Sequence, residues 1–216
     1  MIESLLPPQA VAVETRAERS GELFPSERAA LGRAVEKRRR EFTTSRLCAR
    51  EAFARLGLAP VALGAWPDGT PRWPAGLVGS ITHCAGYRAC AVARAADVAA
   101  IGIDAEPDEP LPSGLSSAIA GAAERRSLAE LQRSLPAIHW DRLLFSAKES
   151  VYKALYPLGL VRLDFGELIV EMQPATGRFD ARLLVAGPRL RGRRMSALTG
   201  RWLARDGCVL TAVALA

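Results

Sequence analysis

Apolar and polar positions change rhythm several times along the chain. Gln9 to Thr15 alternates, the period of a half-buried strand. Between Ser26 and Leu56 the spacing turns helical: Phe42, Ala49, Phe53 and Leu56 form one stripe, Glu27 sits in the first turn and Gly57 follows the end, predicting one or two helices. From Pro60 to Ile103 the chain is rich in Gly, Pro, Val and Ala, with turn signals at Pro67-Asp68-Gly69 and Ala85-Gly86. Short strands are expected at about 61–66, 77–83, 87–94 and 98–104. Beyond a proline-rich stretch, Pro107 to Ser113, a polar helix is expected over about 116–133. A strongly patterned helix follows from about His139 to Tyr156, stopped by Pro157, with Trp140, Leu143, Leu144, Ala147, Val151, Ala154 and Leu155 as its apolar stripe. Strands at Leu168–Met172, Arg178–Val185, Ala197–Arg205 and Cys208–Leu215 close the chain.

Both halves run helix first and antiparallel-looking strands after. The pattern predicts an α+β protein of two similar lobes related by a pseudo-twofold, each a helix with a small antiparallel sheet. Residues 1–106 would form the N-terminal lobe, 107–113 the linker and 114–216 the C-terminal lobe, with the site in the crevice between them.

Composition narrows the class. At 216 residues, 49% hydrophobic and 24% charged, the chain can bury a real core. No stretch approaches the roughly 18 apolar residues of a spanning helix, and the first residues lack the basic-then-apolar pattern of a secretory signal. A cytoplasmic monomer that engages no membrane is the expectation. Lys plus Arg number 29 against 23 Asp plus Glu, a formal +6. That surplus suits nucleic acid, a phosphate-rich small molecule or an acidic protein. Cys48, Cys84, Cys90 and Cys208 form no C-x-x-C pair, so reduced thiols are expected, and His83 and His139 are too few for a histidine-rich metal site.

Four segments could carry chemistry. Asp104 and Glu106 close an apolar strand, IGIDAEP, and alternation puts both carboxylates on one face. They form either a solvated acidic turn or, with oxygen-only ligands, a Mg²⁺ site. Glu149 and Lys153 lie one helical turn apart, opposite the apolar stripe and beside Phe145, Tyr152 and Tyr156. They are either a surface ion pair or charges at work within a covered face. The stretch WPAGLVGSITHCAGYR, Trp73 to Arg88, places small residues next to Ser80, Thr82 and His83, which could donate to phosphate, although a single His at a strand end is commonly structural. Arg38, Phe42 and Arg46 fall on adjacent turns with Arg39 and Arg50 alongside, a solvated basic face or a phosphate grip. Nucleophile-elbow, P-loop and dinucleotide fingerprints are absent.

Taken together, Trp73 to Ala89, Ile101 to Pro107 and WDRLLFSAKESVYKALYPL (Trp140 to Leu158), with KRRREFTTSRLCAR upstream, resemble the 4'-phosphopantetheinyl transferases of the surfactin and enterobactin synthetase type. The specific element is the pair G-[IV]-D-x-E and K-E-[SA]-x-[YF]-K. The resemblance implies transfer of the phosphopantetheine arm of coenzyme A to a serine of an apo acyl or peptidyl carrier protein, with release of adenosine 3',5'-bisphosphate. It implies Mg²⁺, or Mn²⁺, on Asp104, Glu106 and Glu149, with Glu149 also taking the serine proton and Lys153 stabilising the pyrophosphate. Arg38, Arg46, His83 and Lys148 would grip coenzyme A phosphates, helped by Ser80 and Thr82. Where close relatives often place a basic nucleotide contact the chain has Asp68, and Ala105 stands between the acids, leaving Glu149 and water to complete the metal set. An acidic carrier would dock at the lip formed by the end of the last helix and Gly159 to Arg162. Two other readings use the same residues: a basic nucleic-acid binder, which needs no acidic cluster and is not favoured, and a Mg²⁺-dependent phosphohydrolase.

Overall fold

The structure of the protein, a computed structural model, describes residues 1–159 and 163–216. In chain order its elements are β1 (Ala10–Thr15), α1 (Pro25–Leu31), α2 (Glu36–Arg55), the short strands β2 (Gly64–Ala65) and β3 (Pro71–Arg72), β4 (Leu77–Cys84), β5 (Tyr87–Arg94) and β6 (Ala100–Pro107). There follow α3 (Leu115–Ile119), α4 (Ala122–Ser134), α5 (Trp140–Leu155), β7 (Leu168–Gln173), β8 (Arg178–Leu183), the short strands β9 (Arg189–Leu190) and β10 (Arg193–Arg194), β11 (Ala197–Arg205) and β12 (Cys208–Leu215). The α+β expectation holds.

Two sheets carry the fold, a three-stranded one in the order β1-β5-β4 and a five-stranded one in the order β6-β12-β11-β8-β7. Alternation along β5 explains the layering. Cys90 and Val92 point to α2, joining Cys48, Ala49 and Phe53. Ala89, Ala91 and Ala93 point the other way, onto Ile101, Ile103 and Ala105 of β6 and Leu210 and Ala212 of β12. Alanine on the facing surface lets the two sheets pack closely. On the far side α5 lays its whole stripe, Trp140 through Leu155, onto the five-stranded sheet. Gly102 is what allows the contact: a Cβ there would lie 1.9 Å from the Ser150 carbonyl oxygen.

Four expectations change. Strand β6, expected to end the N-terminal lobe, is paired residue by residue with β12 from Ala100 to Pro107, so the division after Glu106 does not follow the hydrogen bonding. The proline-rich segment is no loose tether. Asp108 Oδ1 accepts from the His139 amide at 3.0 Å, Asp141 Oδ2 accepts from the Leu111 amide at 3.1 Å, and Arg142 donates to the Glu109 and Pro110 carbonyls at 3.1 and 3.0 Å. The polar helix is broken at Ala120-Gly121 into α3 and α4, and in place of the strand expected at 61–66 stands the short hairpin β2–β3.

The sheets also meet edge to edge. Ile103 N donates to Ser80 Oγ at 3.1 Å and Ala105 N to Thr82 Oγ1 at 3.0 Å, so hydroxyls of β4 satisfy amides that edge strand β6 would otherwise leave unpaired. All four cysteines are free thiols, Cys84 half-buried and the others buried.

Candidate active site

The face of α5 opposite its stripe borders a cleft of about 1530 Å³. Glu149, Tyr152, Lys153 and Tyr156 line one wall, and Trp66 to Ala75, Ser80 and Arg38 line the other. Trp66 is half exposed, and Arg72 stacks over its ring at 4.8 Å. Strand β6 runs beneath α5 and brings its carboxylates to the same place.

Asp104 is buried, and Lys153 Nζ reaches its Oδ1 at 2.6 Å while donating more weakly to the Ile103 carbonyl at 3.3 Å. The Thr82 hydroxyl approaches Oδ1 at 3.4 Å. The other oxygen, Oδ2, is buried and has no hydrogen-bond partner among the described residues. Glu106 is bound through Oε2 to Arg142 Nη1 at 3.0 Å. Burial, and then the charge of Asp104, push the carboxyls of both Glu106 and Glu149 above the usual range, while Arg142 opposes the shift at Glu106 and Lys153 opposes it at both. The site is a set of mutually repelling acids held down by two cations.

Such a set fits a divalent cation. An unpartnered buried carboxylate oxygen is costly, and a hard oxygen donor of this kind suits Mg²⁺ or Mn²⁺. Among the described residues no three or more His, Cys, Asp or Glu side chains are placed to hold a metal ion as an all-protein ligand set. Mg²⁺ rarely uses one, taking one or two carboxylates and filling its octahedron with water and substrate phosphate oxygens.

Arg38 is exposed on the cleft wall. Arg46 is buried, donating from Nε to the Leu63 carbonyl at 2.9 Å and stacking over Phe42 at 3.9 Å; burial lowers its pKa to about 10. His83 faces Glu41 across 3.4 Å, and burial with the nearby charges of Arg38, Lys153 and Arg88 keeps its pKa down against the pull of Glu41.

One expected phosphate contact, Lys148, is corrected, and the neighbouring polar groups have partners of their own. Ser80 and Thr82 accept from the amides of β6 through their hydroxyl oxygens, which leaves each O–H able to donate, that of Thr82 lying 3.4 Å from Asp104 Oδ1. Lys148 is buried within the C-terminal unit, its ammonium on the Ile119 carbonyl at 2.8 Å, the Phe165 carbonyl at 2.9 Å and the Glu124 carboxylate at 2.9 Å. An ammonium has three donors, and all are taken. Asp68 lines the cleft and accepts from Thr70 N at 2.9 Å, Thr70 Oγ1 at 2.7 Å and the Tyr156 hydroxyl at 2.5 Å. Of the expected carrier-docking lip, Leu160 to Arg162 lie outside the described residues. Arg142 and Glu41 were not legible as site residues; the one signal for Arg142 is its position two helical turns before Glu149.

Residues 26–93 match the family model described as the 4'-phosphopantetheinyl transferase N-terminal domain, and residues 100–200 match that of the 4'-phosphopantetheinyl transferase superfamily. The chain is 51% identical over 220 residues to 4'-phosphopantetheinyl transferase Svp of Streptomyces mobaraensis, covering 100% of this chain and 89% of that one. The chain belongs to the 4'-phosphopantetheinyl transferase family. It is also 45% identical to 4'-phosphopantetheinyl transferase PptT of Mycobacterium tuberculosis, over 89% of this chain and 86% of that one. A third relative, 4'-phosphopantetheinyl transferase Npt of Nocardia iowensis, is 42% identical over the full length of both. The two matched segments divide between Ala93 and Ala100, which assigns β6 of this transferase to the C-terminal segment, as its pairing with β12 does. Among the described residues no helix is long and apolar enough to cross a membrane.

Proposed function

We propose that this transferase moves the 4'-phosphopantetheine arm of coenzyme A onto a serine of an apo acyl or peptidyl carrier protein, releasing adenosine 3',5'-bisphosphate, in the cleft beside α5. The observation that carries the site assignment is Asp104, whose Oδ1 is held by Lys153 while Oδ2 stays buried and unpartnered. Asp104, Glu106 and Glu149 would hold Mg²⁺ or Mn²⁺, which supplies charge neutralisation on a pyrophosphate as its leaving oxygen becomes anionic.

Glu149 is the general base of this reading. Its raised pKa makes it a better proton acceptor than an ordinary carboxylate. It takes the serine proton as the serine oxygen bonds to phosphorus and the bond from phosphorus to the bridging pyrophosphate oxygen breaks, that electron pair leaving with adenosine 3',5'-bisphosphate. Lys153 keeps Asp104 aimed through the 2.6 Å contact to Oδ1, and its charge lies beside the reacting phosphate. Arg38, Arg46 and His83 would contact the nucleotide phosphates, His83 becoming cationic when a phosphate binds. The enzyme works without nucleic acid and without a membrane.

Incubation with coenzyme A and a panel of apo-carriers, read by intact mass, tests this. The expected result is a carrier heavier by one phosphopantetheine, lost in excess chelator and lost in Asp104→Asn and Glu149→Gln. Release of phosphate from coenzyme A with no carrier product would mean a phosphohydrolase instead. Full turnover in chelator would remove the metal assignment.

A further inference from the structure

We infer that Arg142 is a positioning residue of the carboxylate site, holding Glu106 in place as Lys153 holds Asp104. The inference rests on the reading of Asp104, Glu106 and Glu149 as the divalent-cation site.

The geometry is that of two matched clamps. Arg142 precedes Glu149 on α5 by seven residues and Lys153 follows it by four, so both cations share the face of Glu149 and flank it. On β6, Asp104 and Glu106 are two residues apart and share a face. Each carboxylate therefore meets one cation of α5: Asp104 Oδ1 meets Lys153 at 2.6 Å, and Glu106 Oε2 meets Arg142 at 3.0 Å. In each case one oxygen is secured.

Arg142 is itself secured. Its Nε donates to the Glu109 carbonyl at 3.1 Å and its Nη2 to the Pro110 carbonyl at 3.0 Å. The guanidinium plane is thus fixed by the backbone of the proline-rich strap, and the side chain is only 11% exposed. An ordinary surface ion pair leaves both partners free to rotate into water; this one does not. Without the clamp, repulsion from Asp104 would turn the half-buried Glu106 outward to solvent, and each binding event would have to bring it back. Holding it beforehand removes that ordering cost, as orienting partners around metal ligands do elsewhere.

Mn²⁺ binding tests the inference apart from turnover. Electron paramagnetic resonance would report free Mn²⁺ in solutions of protein and coenzyme A without carrier, referenced to coenzyme A alone. Arg142→Gln is expected to raise the Mn²⁺ Kd by about tenfold or more. Arg142→Lys should recover part of the loss, since it keeps the charge on Glu106 and gives up the fork to the two carbonyls. Glu106→Gln combined with Arg142→Gln should bind Mn²⁺ no more weakly than Glu106→Gln alone. An Arg142→Gln variant with a lowered Tm and an unchanged Mn²⁺ Kd would make the residue a strap anchor only and overturn the inference. Wild-type protein that binds no Mn²⁺ beyond coenzyme A alone overturns the cation-site reading, and the inference with it.

Discussion

Tyr156, the residue that caps α5, donates its phenolic hydrogen to Asp68 at 2.5 Å across the mouth of the cleft. The bond joins the β2–β3 turn to the helix that carries Glu149 and Lys153. Thr70 and then Tyr156 lower the Asp68 pKa to about 2, and the same bond raises that of Tyr156. Because the folded value of Asp68 lies below its ordinary one, the clasp is present above the ordinary carboxylate range and is lost only as pH falls towards 2. It is closed throughout the neutral range. Tyr156→Phe and Asp68→Asn are each expected to change the KM for coenzyme A by about three- to tenfold with little change in Tm, and the double variant to go no further than either single one. Steady-state kinetics checks this; additive effects would mean the two residues act separately.

His83 gives the reaction a pH signature. Burial first, then Arg38, Lys153 and Arg88, depress its pKa against the opposing pull of Glu41, so it is neutral at pH 7.5 in the free enzyme. The sign follows from linkage. A depressed folded value contributes stability that is present above the unfolded value near 6.5 and lost as pH falls through the folded one. A bound phosphate reverses the preference by favouring the imidazolium. The KM for coenzyme A should therefore fall more between pH 8 and 6 in the wild type than in His83→Gln, the difference cancelling titration of the substrate itself. Parallel profiles would take His83 out of the phosphate wall.

Lys148 separates a buried brace from a substrate contact. Its ion pair with Glu124 ties α4 to α5, and Glu124 also accepts from the Gly121 and Val170 amides at 2.8 and 2.9 Å. Lys148→Ala leaves that carboxylate buried and unpaired, which costs about 3–5 kcal/mol. The expected outcome is a large loss in Tm, with the KM for coenzyme A moving less than about threefold when measured well below the transition. A tenfold rise in KM at unchanged Tm would restore the lysine to the phosphate site.

Much of this was legible because it is periodic. The stripe of α5 repeats on one face and is buried throughout, and alternation along β6 is enough by itself to put Asp104 and Glu106 on one face. What stayed hidden is pairing between distant segments. Nothing near Ser80 and Thr82 says that their hydroxyls meet the amides of a strand 23 residues away. Nor does local pattern show that β6 joins β12, which follows it by about a hundred residues of chain. Lys148 sits beside Glu149 in sequence and shares its motif, yet a helix turns about 100° per residue, and that rotation sends one side chain to the cleft and the other into the core. The proline-rich strap read as a linker because its composition is that of one; its anchors, His139, Asp141 and Arg142, lie on the far side of two helices.

Gly102 links the packing to the chemistry. A Cβ at this position would lie 1.9 Å from the Ser150 carbonyl oxygen and 2.6 Å from the Ala154 amide nitrogen, both backbone atoms of α5 that no rotamer change can move. Gly102→Ala must therefore displace the helix from β6. The overpacking costs about 1–3 kcal/mol. Glu149 and Lys153 each adjoin one of those two contact points, so the displacement falls on the distance between Glu149 and the carboxylates of β6. A shift of about 1 Å at such a centre can cost about a hundredfold in rate. The kcat of Gly102→Ala should fall by that order, while the KM for coenzyme A, which the proposed reading assigns to Arg38, Arg46 and His83, changes much less. Gly166→Ala is the matched control, since a Cβ there meets no atom of the described residues within 4 Å, and its kcat should equal that of the wild type. Wild-type turnover in Gly102→Ala would show that the β6 to α5 distance does not govern the reaction.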